Sequence, residues 1–102
     1  MQRTALVTGA TAGFGAAICR TLIENGYRVI GTGRRVARLE QLQQELGENF
    51  HFLAFDISDR QATEDAFHSL PVSWQSIDLL VNNAGLALGL EVLISELDDW
   101  MQ

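Results

Sequence analysis

Thr8-Gly9-Ala10-Thr11-Ala12-Gly13-Phe14-Gly15 (TGATAGFG) begins on the last residue of an apolar run, Thr4–Thr8, and leads into the helical pattern Ala16–Glu24. Three glycines therefore stand within seven residues where a buried strand turns into a helix. Such a turn gathers backbone N–H groups and the positive end of a helix dipole at one point, where a phosphate can sit. Glycines suit it because a Cβ would obstruct either the turn or the close approach of the ligand. A plain strand-to-helix turn would manage with one or two glycines. The spacing T-G-x-x-x-G-x-G also departs from the common dinucleotide fingerprint, so the surrounding chain has to carry the reading.

Working outward, four apolar runs read as buried strands: Thr4–Thr8, Arg28–Thr32, Phe50–Phe55 and Ile77–Val81. They are nearly continuous rather than alternating, the pattern of parallel strands covered on both faces. Helical patterns lie between them. Ile18 and Leu22 stand four apart before a stop at Asn25-Gly26, and Val36, Leu39, Leu42 and Leu46 mark a second helix ended by Gly47. A third starts near Asp59, turns Ala62, Ala66, Phe67 and Leu70 inward, and ends at Pro71. Strands alternating with helices predict an α/β fold, part of a doubly wound Rossmann three-layer arrangement with parallel sheet order 3-2-1-4. After Val81 comes the turn-like Asn82-Asn83-Ala84-Gly85, then the apolar stretch Leu86–Ile94, and Ser95-Glu96-Leu97-Asp98 reads as the cap of a further helix.

The composition bounds what such a chain does. With 102 residues, 47% apolar and 20% charged, it is one ordinary globular domain. A net charge of −6 argues against nucleic acid or an anionic membrane as the main partner. No apolar run approaches the length of a membrane span and no signal-peptide pattern precedes the first strand, so the expected compartment is the cytoplasm. The single cysteine, Cys19, falls within a helical pattern and reads as a buried thiol. All seven basic residues are arginines.

Where the dinucleotide fingerprint expects an acid, after the second strand, this chain has Gly33-Arg34-Arg35. An acid there would repel a ribose 2′-phosphate, whereas arginines pair with it bidentately. Arg34, Arg35 and Arg38 crowd a helix start that disfavours cations, in an acidic protein, which points to an anionic ligand. Arg38 lies a turn further in and is the weaker candidate. Asp56 follows the third strand and faces the crevice, where it could accept a hydrogen bond from an adenine amino group while Ile57 packs on the ring. Asn82 and Asn83 end the fourth strand, with two readings open: tying the loop to neighbouring backbone, or touching the ligand.

The segment Gly9 to Gly15, Asp56 and Asn82-Asn83-Ala84-Gly85 together resemble, in order and spacing, the short-chain dehydrogenase/reductase family. The finer pattern of TGATAGFG, TGRR, LPVSW and VNNAGLALGLE resembles the bacterial NADP-dependent 3-hydroxy acid (serine) dehydrogenases within it. That resemblance implies oxidation of 3-hydroxy acids such as serine or allo-threonine, with NADP(H) as cofactor. It places the pyrophosphate on Gly9, Ala10, Thr11, Ala12, Gly13, Phe14 and Gly15, and the 2′-phosphate on Arg34 and Arg35. It places the adenine on Asp56 and Ile57, and the adenosine ribose near Asn83. Many NADP-users in the family carry a basic residue where this chain has Ala12, so the preference rests on the arginine pair.

The family's chemistry uses Ser with Tyr-x-x-x-Lys, in which lysine lowers the pKa of a tyrosine that would otherwise be a poor base at neutral pH. The only tyrosine here is Tyr27, four residues before Gly31, and there is no lysine. His51 and His68 have no acid or nucleophile at a telling spacing. No catalytic residue and no metal site is expected. Residues 1–102 therefore read as the N-terminal dinucleotide-binding part of a Rossmann domain, C-terminally truncated and inactive by itself, from a family whose members are commonly tetramers. The rival reading is a non-catalytic nucleotide-binding or interaction module; a flavodoxin-like flavin site fits worse, because the first loop lacks that fold's hydroxyl-rich pattern. An unpaired fourth strand predicts self-association. Trp74 and Trp100 are the candidate fluorescence reporters of bound cofactor.

Overall fold

The computed structural model describes residues 2–83. Within them, strands β1 (Thr4–Thr8), β2 (Arg28–Gly33), β3 (Phe50–Ala54) and β4 (Leu79–Asn82) form one parallel sheet in the order β3-β2-β1-β4. Helices α1 (Gly15–Glu24), α2 (Val36–Leu46) and α3 (Arg60–His68) fill the crossovers. The predicted order 3-2-1-4 is thus observed. The expected turn at Ala84-Gly85, the Leu86–Ile94 stretch and the helix from Ser95 fall outside the described residues.

The continuous apolar strands follow from coverage on both faces. Every residue of β1 is buried, and its pairing Ala5↔Val29 and Ala5↔Leu79 places it between β2 and β4. Side chains of adjacent residues leave a strand on opposite sides. Leu6 and Ile30 accordingly join Leu53, Phe67, Leu70 and Ile77 in one core cluster, beneath α3. Val7 and Val29 join Cys19, Leu39, Leu42 and Phe50 in the other, beneath α1 and α2. The result is three layers, with both crossover faces occupied.

Several boundaries differ from the sequence reading, each for a local reason. β4 begins at Leu79 rather than Ile77 because Asp78 bonds the start of β1 twice: its N–H donates to the Thr4 carbonyl (2.8 Å), and its Oδ2 accepts from the Thr4 N–H (2.9 Å). Ile77 remains in the core, 2% exposed. α3 starts at Arg60, with Asp59 as its cap accepting from the Ala62 N–H at 3.0 Å. Thr63, not expected inside, is fully buried because its hydroxyl donates to the Asp59 carbonyl (2.8 Å). Val36, expected on the inner face of α2, is 47% exposed, and the inner face is carried by Leu39 and Leu42. The predicted stops hold: Gly26 and Gly47 adopt φ of 89° and 78°, in the left-handed region open to glycine.

At the N-terminal ends of the strands, Arg28 lies over the ring of Trp74, 4.3 Å from its centroid, and its Nη2 donates to Thr4 Oγ1 (3.0 Å) and to the Ser73 carbonyl. His51 packs against the same ring, with centroids 5.4 Å apart, and burial lowers its pKa. Trp74 thus lies at the end of the sheet opposite the strand C-termini; Trp100 lies outside the described residues. Tyr27 packs on the α1/α2 core, in keeping with a structural role.

Cys19 is buried, as its place in the helical pattern implied, and desolvation pushes its thiol pKa up to about 12. A thiol that ionises more readily in the unfolded chain than in the fold costs stability as pH rises past the unfolded value, about 8.5. The folded protein should therefore resist a disulfide reagent at pH 8 and react fully in denaturant. Above pH 9 it should also lose stability faster than Cys19→Ala. Rapid modification of the folded protein, or parallel pH profiles, would contradict the burial of this thiol.

Candidate cofactor site

The glycine loop is held by its own backbone. Gly9 and Gly13 have φ of 63° and 54°, which a residue with a Cβ rarely adopts. The Ala12 N–H donates to the Gly9 carbonyl (3.1 Å), the Gly15 N–H to the Ala12 carbonyl (2.9 Å), and the Ala10 N–H to Thr32 of β2 (2.8 Å). Gly15 has a different reason to be glycine. A Cβ built there would stand 2.0 Å from the Gly9 carbonyl oxygen and 2.9 Å from the Ala10 backbone. The third glycine therefore lets the helix start against its own loop, a requirement independent of any ligand. The α1 N-terminus has no side-chain cap and no acid in its first turn, so its positive end is not neutralised from within.

The C-terminal ends of β1, β2 and β3 enclose a cleft of about 500 Å³. Of the residues singled out from sequence, Gly9, Thr11 and Ala12 reach its wall from the loop, Arg34 and Arg35 from the end of β2, and Asp56 and Ile57 from beyond β3. Ala10 is fully buried in the core. Gly13, Phe14, Gly15 and Asn83 stand off this wall, and Phe14 is 79% exposed. Arg38, ranked below its neighbours on sequence spacing, also lines the cleft. One helical turn from Arg34 returns it to the same side, the signal that could have found it. The first turn of α2 contains no acid, so the three guanidinium groups crowd its positive end without compensation from that helix.

Asp56 does more than face the crevice. Its Oδ1 accepts from both the Ser58 N–H (3.0 Å) and the Ser58 hydroxyl (2.7 Å), closing a tight turn after β3. These bonds, with a smaller contribution from Arg34, hold its pKa below the ordinary carboxylate value. Its Oδ2 lies 4.0 Å from Arg34 Nη1. Asn83 takes the bracing role left open in the sequence: its Nδ2 donates to the Gly9 (2.9 Å) and Ala12 (2.8 Å) carbonyls, bolting the end of β4 to the glycine loop. Asn82 accepts from the Thr8 hydroxyl at 3.1 Å.

The model of the short chain dehydrogenase family matches residues 3–102. The chain belongs to this family. Among short-chain dehydrogenases, a Haemophilus influenzae protein described as a probable NADP-dependent dehydrogenase is 65% identical over 97% of the chain. A serine 3-dehydrogenase of Agrobacterium fabrum is 58% identical over 87% of it. The chain spans 40% and 36% of the lengths of these two relatives. The crystal structure of Escherichia coli serine dehydrogenase superposes with a TM-score of 0.88 at 41% identity, covering 96% of this chain and 56% of that one. A closed form of serine dehydrogenase complexed with NADP+ gives a TM-score of 0.76 at 39% identity, over 96% of this chain and 45% of that one.

Replacing Asn83 by Asp removes two donated hydrogen bonds and turns a carboxylate toward two carbonyl oxygens. Asn83→Asp should cost about 1–3 kcal/mol of stability at neutral pH. An unchanged urea midpoint would show that the amide does not brace the loop.

Proposed function

We propose that this chain supplies the NADP(H)-binding part of a short-chain oxidoreductase that acts on 3-hydroxy acids such as serine or allo-threonine. The observation that carries this is the convergence in one cleft of the glycine loop with Arg34, Arg35 and Arg38, where the segment leaving β2 carries no acid of its own. Relatives named as NADP-dependent dehydrogenase, serine 3-dehydrogenase and NADP-dependent 3-hydroxy acid dehydrogenase support both the cofactor and the substrate class. The solved complex of a serine dehydrogenase with NADP+ supports the cofactor independently.

In this reading the residues divide the cofactor among them. Gly9 to Gly15 and the uncapped start of α1 receive the pyrophosphate, where dipole and free N–H groups favour anions. Arg34 and Arg35 take the 2′-phosphate with planar donor pairs, and Arg38 adds positive potential from the same wall. Asp56 and Ile57 receive the adenine. Asn83 fixes the loop beside the ribose rather than spending its amide nitrogen on the sugar. When bound, NADP supplies the hydride acceptor at its nicotinamide. We assign no catalytic residue to these 102 residues: Tyr27 packs against the α1/α2 core, and the sequence has no lysine to lower a phenol's pKa. The family's Ser, Tyr and Lys would come from further sequence, and residues 1–102 would then be the N-terminal, dinucleotide-binding part of the domain.

Calorimetric titration tests this without relying on Trp74. NADPH should bind at least about ten-fold more tightly than NADH, the scale of one hydrogen bond to a charged group. Arg34→Ala with Arg35→Ala should erase the difference; equal affinities in the unmodified protein would overturn the assignment. We propose also that β4, at the sheet edge of the described residues and with Leu79 37% exposed, makes the chain self-associate. A concentration-independent monomer in sedimentation would refute that.

A further inference from the structure

The cleft carries its own counter-charge. Asp56 is the one carboxylate on its wall among the described residues, and it faces Arg34 from the opposite side. The sequence places no acid at the end of β2; the fold brings one there from β3. The two oxygens of Asp56 are not equivalent. Oδ1 already accepts two hydrogen bonds from Ser58, which occupy both of its lone pairs. Oδ2 is the oxygen left to receive a further donor, and Arg34 Nη1 stands 4.0 Å from it. An adenine amino group entering the cleft needs that same oxygen.

We propose that Asp56 Oδ2 is shared between Arg34 and the adenine, so that recognition of the 2′-phosphate and of the adenine is coupled through this one carboxylate. The inference rests on the proposed function, in which Arg34 binds the 2′-phosphate. With a 2′-phosphate present, the dianion draws the guanidinium away by charge and bidentate geometry, and Oδ2 becomes free for the base. With a plain 2′-hydroxyl, Arg34 stays beside the carboxylate, 4.0 Å from Oδ2, and the adenine amino group has to share that oxygen's charge with the guanidinium. Discrimination between the two cofactors then has two parts: the arginine attracts the phosphate, and the same arginine, left idle, obstructs the base. Arg34 is well placed to move, since its side chain is 75% exposed and the pair with Asp56 is solvent-screened.

Adenosine is the discriminating probe, because it carries no charge and its affinity is free of long-range attraction to the arginines. Titrations of the 102-residue chain, followed by the amide shifts of Ile57 and Ser58, would compare adenosine with adenosine 2′-monophosphate. The unmodified protein should prefer the 2′-monophosphate; absence of that preference overturns the proposed function itself. Given the preference, Arg34→Ala should bind adenosine about two- to five-fold more tightly than the unmodified protein, the span of an exposed ion pair. The gain should vanish when Arg34→Ala is made in an Asp56→Asn background. Unchanged or weaker adenosine binding by Arg34→Ala, with the 2′-monophosphate preference intact in the unmodified protein, overturns the coupling and leaves the cofactor assignment standing. The Arg34 side chain is 75% exposed, so Arg34→Ala should keep the unmodified melting temperature within a few degrees.

Discussion

Everything at the ligand end of this sheet depends on how closely α1 approaches the loop that precedes it. The backbone of Gly15 lies against the Gly9 carbonyl, at a distance that no side chain could share. That contact sets where the helix axis begins, and so where its unpaired N–H groups point. The same Gly9 carbonyl also receives the Ala12 N–H and the Asn83 amide. One oxygen thus ties together the end of β1, the tip of the loop and the exit of β4. The cleft opens beside this junction, and its chemistry is set by which side chains the neighbouring strands deliver there.

Those deliveries have opposite sign. β2 ends in arginines at a helix start that does not favour them, and β3 ends in an aspartate already engaged in its own turn. A site made only of cations would hold any anion; the nearby carboxylate tempers it and gives the base something to recognise. The two bonds from Ser58 lower the pKa of the aspartate below its ordinary value. The turn that positions the carboxylate also favours its ionised form.

How much of this was legible in the sequence varied with the kind of signal. The strands, their order and the stop at Gly47 followed from continuous apolar runs and glycine placement, which report burial and backbone conformation directly. The loop and the arginine pair were legible because their positions conflict with local propensity. What was missed depended on partners that the local pattern does not point to. The bracing bonds of Asn83 run to the Gly9 and Ala12 carbonyls, more than seventy residues away, and no local pattern pointed to them. Thr63 was not among the inward residues read for α3, because a single residue does not announce that its hydroxyl will be satisfied one turn back. Arg28 and Trp74 sit far apart in the chain, and nothing in either neighbourhood foretold their stacking.

The way β1 divides its side chains has a consequence for how the protein tolerates change. Leu6 and Val7 are neighbours in the chain yet enter different cores, and the backbone of the sheet stands between them. The two cores share no side chain, so the sheet acts as a partition. Substitutions on the α3 side and on the α1/α2 side should combine with little coupling, as sites without common partners do. The cofactor end draws on both halves: the glycine loop borders the α1/α2 core through Ala10, while Phe55 and Ile57 of the cleft wall pack on the α3 core, so substitutions on either side of the sheet reach it through different residues.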